Sequence, residues 1–423
     1  MTQENEEQTG KHDPYAALKY RDFRLLLIGR FLAGVGDQMV GVALGWELYE
    51  RTGDAFYLGL MGLVEVTPVI LLSLPAGHLA DHASRRKIVL ITKSSLAVIS
   101  LLLAFCSASH SPLWLFFTCI LGIGIARAYQ SPASSNLIQL TVPPELYTNA
   151  ITWNNNLWQL SAAIGPAVGG LIIAVSKQAM PVYIMDAFFG LAYVIAVLNI
   201  RGKEEIKART AATWDSVKEG MRFLKHSPIL LSVITLDLFA VLLGGAVALL
   251  PVFAKDILHV GPVGLGWMRA MPSIGAVLMA LTIAHRPPFQ KAGMTMLLAV
   301  AGFGAATIIF GLSKSFPLSL AMLFLLGAFD NISVVIRSTL LMVRTPDSMR
   351  GRVSAVNSVF IGASNELGAF ESGFAARLMG TVGATVFGGV GTILVVIIVA
   401  LMWPELRKLK TMQADVAPND RGT

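Results

Sequence analysis

The chain has 423 residues, 54% hydrophobic and only 14% charged, with a net charge of +7. A typical soluble protein carries about 25% charged residues, so this composition excludes an ordinary soluble enzyme or a disordered regulator, whose surfaces need far more charge. It fits a polytopic membrane protein, because twelve spans of about 20 apolar residues need about 240 residues and leave enough chain for tails and short loops.

Residues 1–22 form a polar tail with Glu4, Glu6 and Glu7 ahead of Lys11. It lacks the apolar stretch of a secretory signal and reads as cytosolic. Apolar runs then predict twelve spans, near 23–49, 55–78, 88–108, 113–139, 150–175, 181–200, 228–253, 264–284, 292–312, 316–342, 353–376 and 383–403. The first six make an N-terminal bundle, 23–200, and the last six a C-terminal bundle, 228–403. Between them, 201–227 is a basic linker in which Trp214, Val217, Met221 and Leu224 fall on one helical stripe. That spacing predicts an amphipathic helix on the membrane surface. Residues 404–423 are a second cytosolic tail.

Charge asymmetry supports this count. With the N-terminus inside, 23 of the 33 Lys and Arg fall in inner segments and five in outer loops. That is the positive-inside pattern, and it places both termini in the cytosol. The +7 balance therefore reads as topology and implies no nucleic-acid partner. Cys106 and Cys119 both sit in apolar runs and offer no disulfide framework.

The halves repeat. Pro143, Asn154, Gly165 and Gly170 recur 203 residues later as Pro346, Asn357, Gly368 and Gly373. The same offset relates Arg127 to Asp330, and a slightly longer one relates Arg30 to Asp237. Internal repeats of this kind are typical of secondary transporters, whose substrate site lies between the repeats.

Charges inside spans carry the functional signal, since each costs at least about 2.5–3.5 kcal/mol at the bilayer centre. The arginines are Arg30, Arg127, Arg269 and Arg337, with Lys93 near the inner end of span three. The acids are Asp37, Glu65, Asp237, Asp330, Glu366 and Glu371, with Asp186 and Glu47 nearer outer ends. At about 1.5 Å per residue, most of these lie near mid-membrane. They must face a protein interior or a water-filled cavity. Six acids against four arginines leave two carboxylates without a positive partner, the chemistry of proton coupling. Asn154, Asn331 and Asn357 add uncharged polarity, for interhelical bonds or solute contact.

The sequence holds no phosphate-binding loop, nucleophile elbow or zinc-protease motif. His78 and His82 are four apart but have no third ligand nearby. No cofactor and no metal are expected.

The segment 77–87, Gly77-His-Leu-Ala-Asp81-His-Ala-Ser-Arg85-Arg86-Lys, resembles the loop signature of the major facilitator superfamily, with Ser84 at its central glycine. Gly165-Pro166-Ala-Val-Gly169-Gly170 resembles the glycine-proline motif of its exporters. Residues 127–132, 236–251 and 345–373 resemble the branch that includes the bacterial enterobactin exporter. The resemblance implies an all-α integral membrane fold of twelve transmembrane helices in two pseudo-symmetric six-helix bundles around a central cavity. It implies that spans one, four, seven and ten line that cavity, and that Asp81, Arg85 and Arg86 latch the cytosolic face. His285-Arg286-Pro287-Pro288 does not repeat the signature in the second half.

These readings converge on a monomeric, proton-coupled exporter of a small amphipathic or anionic molecule in the bacterial inner membrane, with lipid as its surroundings. Asp37 and Asp237, then Glu366, are the first proton candidates, and Arg127 with Asp330 the expected switching pair. A transporter of lipid-like molecules with lateral entry and a non-transporting sensor are the alternatives.

Overall fold

The computed structural model describes residues 13–202, 214–287 and 289–411, and these form helices and turns without strands. In the first half, α1 (Arg21–Thr52), α2 (Ala55–His82), α3 (Arg85–Ala108), α4 (Leu113–Ser135), α5 (Tyr147–Ser176) and α6 (Met180–Leu198) follow one another closely. Local chemistry sets the boundaries. Gly53, at φ 63°, ends α1 in the left-handed region that favours glycine. Asp54 then accepts from the Phe56 amide to begin α2, and Ser84 accepts from the Lys87 amide to begin α3.

The second half contains α7 (Trp214–Lys225), α8 (Pro228–Leu243), α9 (Leu250–Val252), α10 (Gly261–Ala284), α11 (Ala292–Leu312), α12 (Phe316–Arg344), α13 (Asp347–Met402) and α14 (Pro404–Lys408). A 3-10 turn, α9 and a π turn at Phe253–Ile257 extend α8 into the seventh span. Among the described residues, eleven helices are long and apolar enough to cross a membrane. The two last predicted spans appear as one element, α13, interrupted at Gly380 with φ 77° and ψ 161°. Its 56 residues are far too long for a single crossing of an apolar core about 30 Å thick. Folded back at Gly380, it supplies two spans and makes twelve.

Among the described residues, α1 packs on α5 and α6, α2 on α4, and α3 on α4 and α6. In the second half α10 packs on α12, and α11 on α12 and α13. Two seams join the halves, α5 on α10 and α2 on α13. Both close glycine on glycine. A Cβ on Gly170 would lie 3.1 Å from the Gly266 Cα, and one on Gly373 would lie 2.7 Å from the Gly59 Cα. Small residues let helices approach this closely in lipid, where dispersion rather than hydrophobicity drives association. Gly170 and Gly373 are also repeat partners, so the sequence repeat is visible as matching seams.

The linker helix is present. In α7, Leu224 is buried and Met221 packs beside it, against the core that includes α8 and α13. The side chains of Trp214 and Val217 are outside those described. Glu219 bridges Arg352 of α13 at 2.7 Å. The start of the C-terminal tail is ordered as α14. Beyond it, the carbonyls of Lys410 and Leu409 accept from the Ala292 and Gly293 amides at 3.0 and 3.2 Å, satisfying donors that a helix start leaves bare.

A charged cavity between the halves

A cavity of about 470 Å³ lies between the halves, walled by α1, α2, α4, α8, α10, α12 and α13. Asp37, Glu65, Arg127, Arg269, Asp330 and Glu366 line it. The cavity continues toward the end of the bundle that holds the N-terminal tail, here the tail end. There Val66, Val69, Gln130, Ser131 and Gly362 line about 370 Å³ more.

Within the walls most arginines have partners. Arg127 is ion-paired with Glu65 inside the first half, so it does not meet Asp330, the partner that repeat position suggests. Arg337 is ion-paired with Asp237, their side chains 6% and 7% exposed. Arg30 does not face Asp237. Its guanidinium donates to Asn154 Oδ1 at 2.7 Å, to Tyr193 Oη at 3.3 Å and to the Ser134 carbonyl. This side pocket of about 260 Å³ also reaches Asp37. Asp37 has a cation too, since Lys93 Nζ lies 3.0 Å from its Oδ2. Both leading proton candidates, Asp37 and Asp237, are therefore ion-paired.

The groups left over define the site. Among the described residues, Asp330, Glu366 and Glu371 have no Lys or Arg within ion-pair distance, and Arg269 has no carboxylate. Arg269 Nε and Asn331 Oδ1 are buried without a hydrogen-bond partner. Glu366 lies against α2, where a Cβ on Gly62 would meet its Oε2 at 3.0 Å. Glu371 has only the Ser372 hydroxyl, at 3.5 Å. Asn357 lies in α13 and is not among the cavity-lining residues.

At the opposite, far end the halves are closed. Tyr49 Oη donates to the Asp256 carboxylate across the interface, and the Lys255 ammonium stands 5.7 Å from the Tyr49 ring centre. Arg377 sits 3.9 Å from Asp54 and 5.1 Å above the Phe56 ring. The glycine seams lie on this side of the cavity. In the exporter-like motif, Gly165 abuts α1 at Val35 and Gln38, Gly169 abuts Met39, and the Pro166 carbonyl faces Gly266. The motif is thus part of the closed end.

The loop signature lies at the tail end. Arg86 donates to the Leu198 carbonyl at 2.7 Å and Arg85 to the Ala80 carbonyl at 3.3 Å. Both bonds stay within the first half. A Cβ on Gly77 would meet nothing within 4 Å. The Asp81 side chain is outside those described.

Sequence reasoning undervalued Lys93, whose partnership with Asp37 crosses from α3 to α1, and it did not foresee the Tyr49–Asp256 bond. Neither has a local motif.

Residues 12–421 match a family model described as transmembrane secretion effector, within the major facilitator superfamily. The chain belongs to that family. It is a multi-pass transporter of the bacterial inner membrane and not an enzyme. It is 26% identical to the multidrug efflux pump Tap of Mycolicibacterium fortuitum over 399 residues, covering 91% of this chain and 96% of that one. It is 24% identical to the enterobactin exporter EntS of Shigella flexneri over 409 residues, covering 94% and 95%. The fold also matches a POT family transporter bound to a thioalcohol-conjugated peptide, with a TM-score of 0.72 at 12% identity, covering 92% of this chain and 97% of that one. A bacterial homologue of the lysosomal transporter Spinster, solved inward-facing and unoccupied, matches with a TM-score of 0.66 at 14% identity, covering 91% and 95%.

Proposed function

We propose that the protein exports a small amphipathic, siderophore- or drug-like molecule from the cytosol, driven by proton entry through alternating access. The observation that carries this reading is the set of leftover charges, Asp330, Glu366 and Arg269, collected in one cavity between the repeats. Buried ionisable groups in a membrane protein are costly and mark solute and proton paths. The efflux roles of Tap and EntS support the direction of transport. With both termini cytosolic, as charge asymmetry predicts, the cavity opens to the cytosol and the Tyr49–Asp256 end is the outer gate. Switching then parts the glycine seams and brings the tail ends of the bundles together, near Arg85 and Arg86.

The charge tally refines the expected solute. Three of the four arginines already hold protein partners, so only Arg269 remains for an anionic group, beside two acids for a cation or a proton. A charged lining weighs against a lipid-like solute.

The test is uptake of ethidium and of a catecholate siderophore into inside-out proteoliposomes with an imposed pH gradient. Gradient-driven flux of either probe, abolished in Asp330→Asn or Glu366→Gln, supports the reading. Equal flux with and without protein sinks it.

A further inference from the structure

The first bundle holds a second charged niche, which meets the cavity at Asp37. Asp186 of α6 is only 8% exposed, and its Oδ2 accepts from Ser100 Oγ of α3 at 2.6 Å. Its carboxylate presses on α1 at Gly36, where an added Cβ would lie 2.3 Å from Oδ1. Any larger residue at 36 would displace the acid. The next residue is Asp37, held by Lys93 of α3, which is itself 4% exposed. Three helices thus bring together two carboxylates, one ammonium and one hydroxyl. Among the neighbours, α5 contributes no charged residue. Arg127 of α4 is already paired with Glu65. Asp37 lines the central cavity, its extension toward the tail end and the Arg30 pocket, while Asp186 lies behind it.

We propose that Asp186 and Asp37, with Lys93 between α1 and α3, form the proton site that drives transport, distinct from Arg269, Asp330 and Glu366, which receive the solute. The inference rests on the proton-coupled reading above. Lys93 pairs with Asp37, and Arg30, which lines the pocket they share, is held by Asn154, Tyr193 and the Ser134 carbonyl. Among the described residues Asp186 has no Lys or Arg within ion-pair distance, so it is the acid left to take a proton. A purely structural ion pair has no use for the second acid. A proton arriving from the cavity reaches Asp37 first. Protonated Asp37 releases Lys93, which is then free to pair with Asp186, and the contact between α1 and α3 changes. Ser100 suits either state, because a hydroxyl donates to a carboxylate and accepts from a carboxylic acid.

Two measurements on reconstituted protein test this. The first is an infrared difference spectrum between acidic and alkaline pH, which needs no substrate. Asp186→Asn, which keeps the shape and the Ser100 contact, is expected to remove the niche's share of the protonated-carboxyl band and leave the share of the other acids, Asp330, Glu366 and Glu371 among them. Ser100→Ala is expected to move the pH at which the band appears. The second uses ethidium as probe. Gradient-driven flux in Asp186→Asn is expected to fall about 5–150-fold, the usual range of coupling between two sites, while ethidium exchange at equal pH persists. An unchanged band or an unchanged gradient-driven flux in Asp186→Asn overturns the assignment. Wild-type flux that ignores the gradient instead sinks the proton-coupled reading, and the spectrum still reports on the niche.

Discussion

Arg269 and Asp330 line one cavity and do not meet. Their repeat counterparts, Glu65 and Arg127, carry the opposite signs and are paired. The helices that hold them match in detail. Gly124 of α4 packs on Pro68 of α2, and Gly327 of α12 packs on Pro272 of α10. The two halves therefore hold the same pair of positions with signs exchanged, closed in one and open in the other.

Neutralising a member of the open pair should separate function from stability. Asp330→Asn removes a charge that has no cationic partner, so melting in detergent should stay unchanged or rise, because an uncompensated buried charge destabilises a fold. Solute flux should nevertheless be lost. Melting curves beside ethidium flux check this, and a large fall in melting temperature would contradict it.

The closed Asp237–Arg337 pair should behave in the opposite way. Arg337→Ala leaves Asp237 buried and alone, at a cost of about 3–5 kcal/mol. The double variant Asp237→Leu with Arg337→Met should recover most of that loss. Denaturation of the single and double variants measures both.

The far-end seams should respond to one methyl group. Gly373→Ala places a Cβ against the Gly59 backbone, which strains only the closed seam. The protein should shift toward a state open at the far end. A cysteine placed at Val247, a cavity residue, should then react faster with an impermeant maleimide added from that side. Cys106 and Cys119 are buried and should give little background.

Tyr49→Phe should shift the same equilibrium less drastically. It removes one hydrogen bond to a carboxylate, worth about 1.5–3 kcal/mol, or about a tenfold or greater change in the population of the closed end. The same cysteine-reactivity assay reports it.

Much of this was legible in the sequence because lipid imposes simple rules. Span number followed from apolar length, and the cavity from charges at mid-membrane depth. Arg127, Asp330, Glu65 and Glu366 could be placed there from depth alone. Their pairing could not, since depth fixes the level of a residue but not the face of its helix. Glu65 and Arg127 meet because α2 and α4 pack through Gly124, and Lys93 reaches Asp37 because α3 presents it toward α1. The repeat suggested Arg127 with Asp330, yet equivalent positions in two halves need not touch. The break that the sequence placed between 376 and 383 falls at Gly380, yet the two spans appear as one helical element, for a local reason. Gly380 turns the chain with a single residue, so no irregular loop separates the two helices.

The bonds from Leu409 and Lys410 to the start of α11 also have a consequence in time. The amides of Ala292 and Gly293 are made well over a hundred residues before the carbonyls that satisfy them. Because chains emerge from the ribosome in order, the second bundle waits with one helix end unfinished until Leu409 and Lys410 have been added, after the last of the described spans. A chain cut short after α13 would carry every span and still lack its fastening.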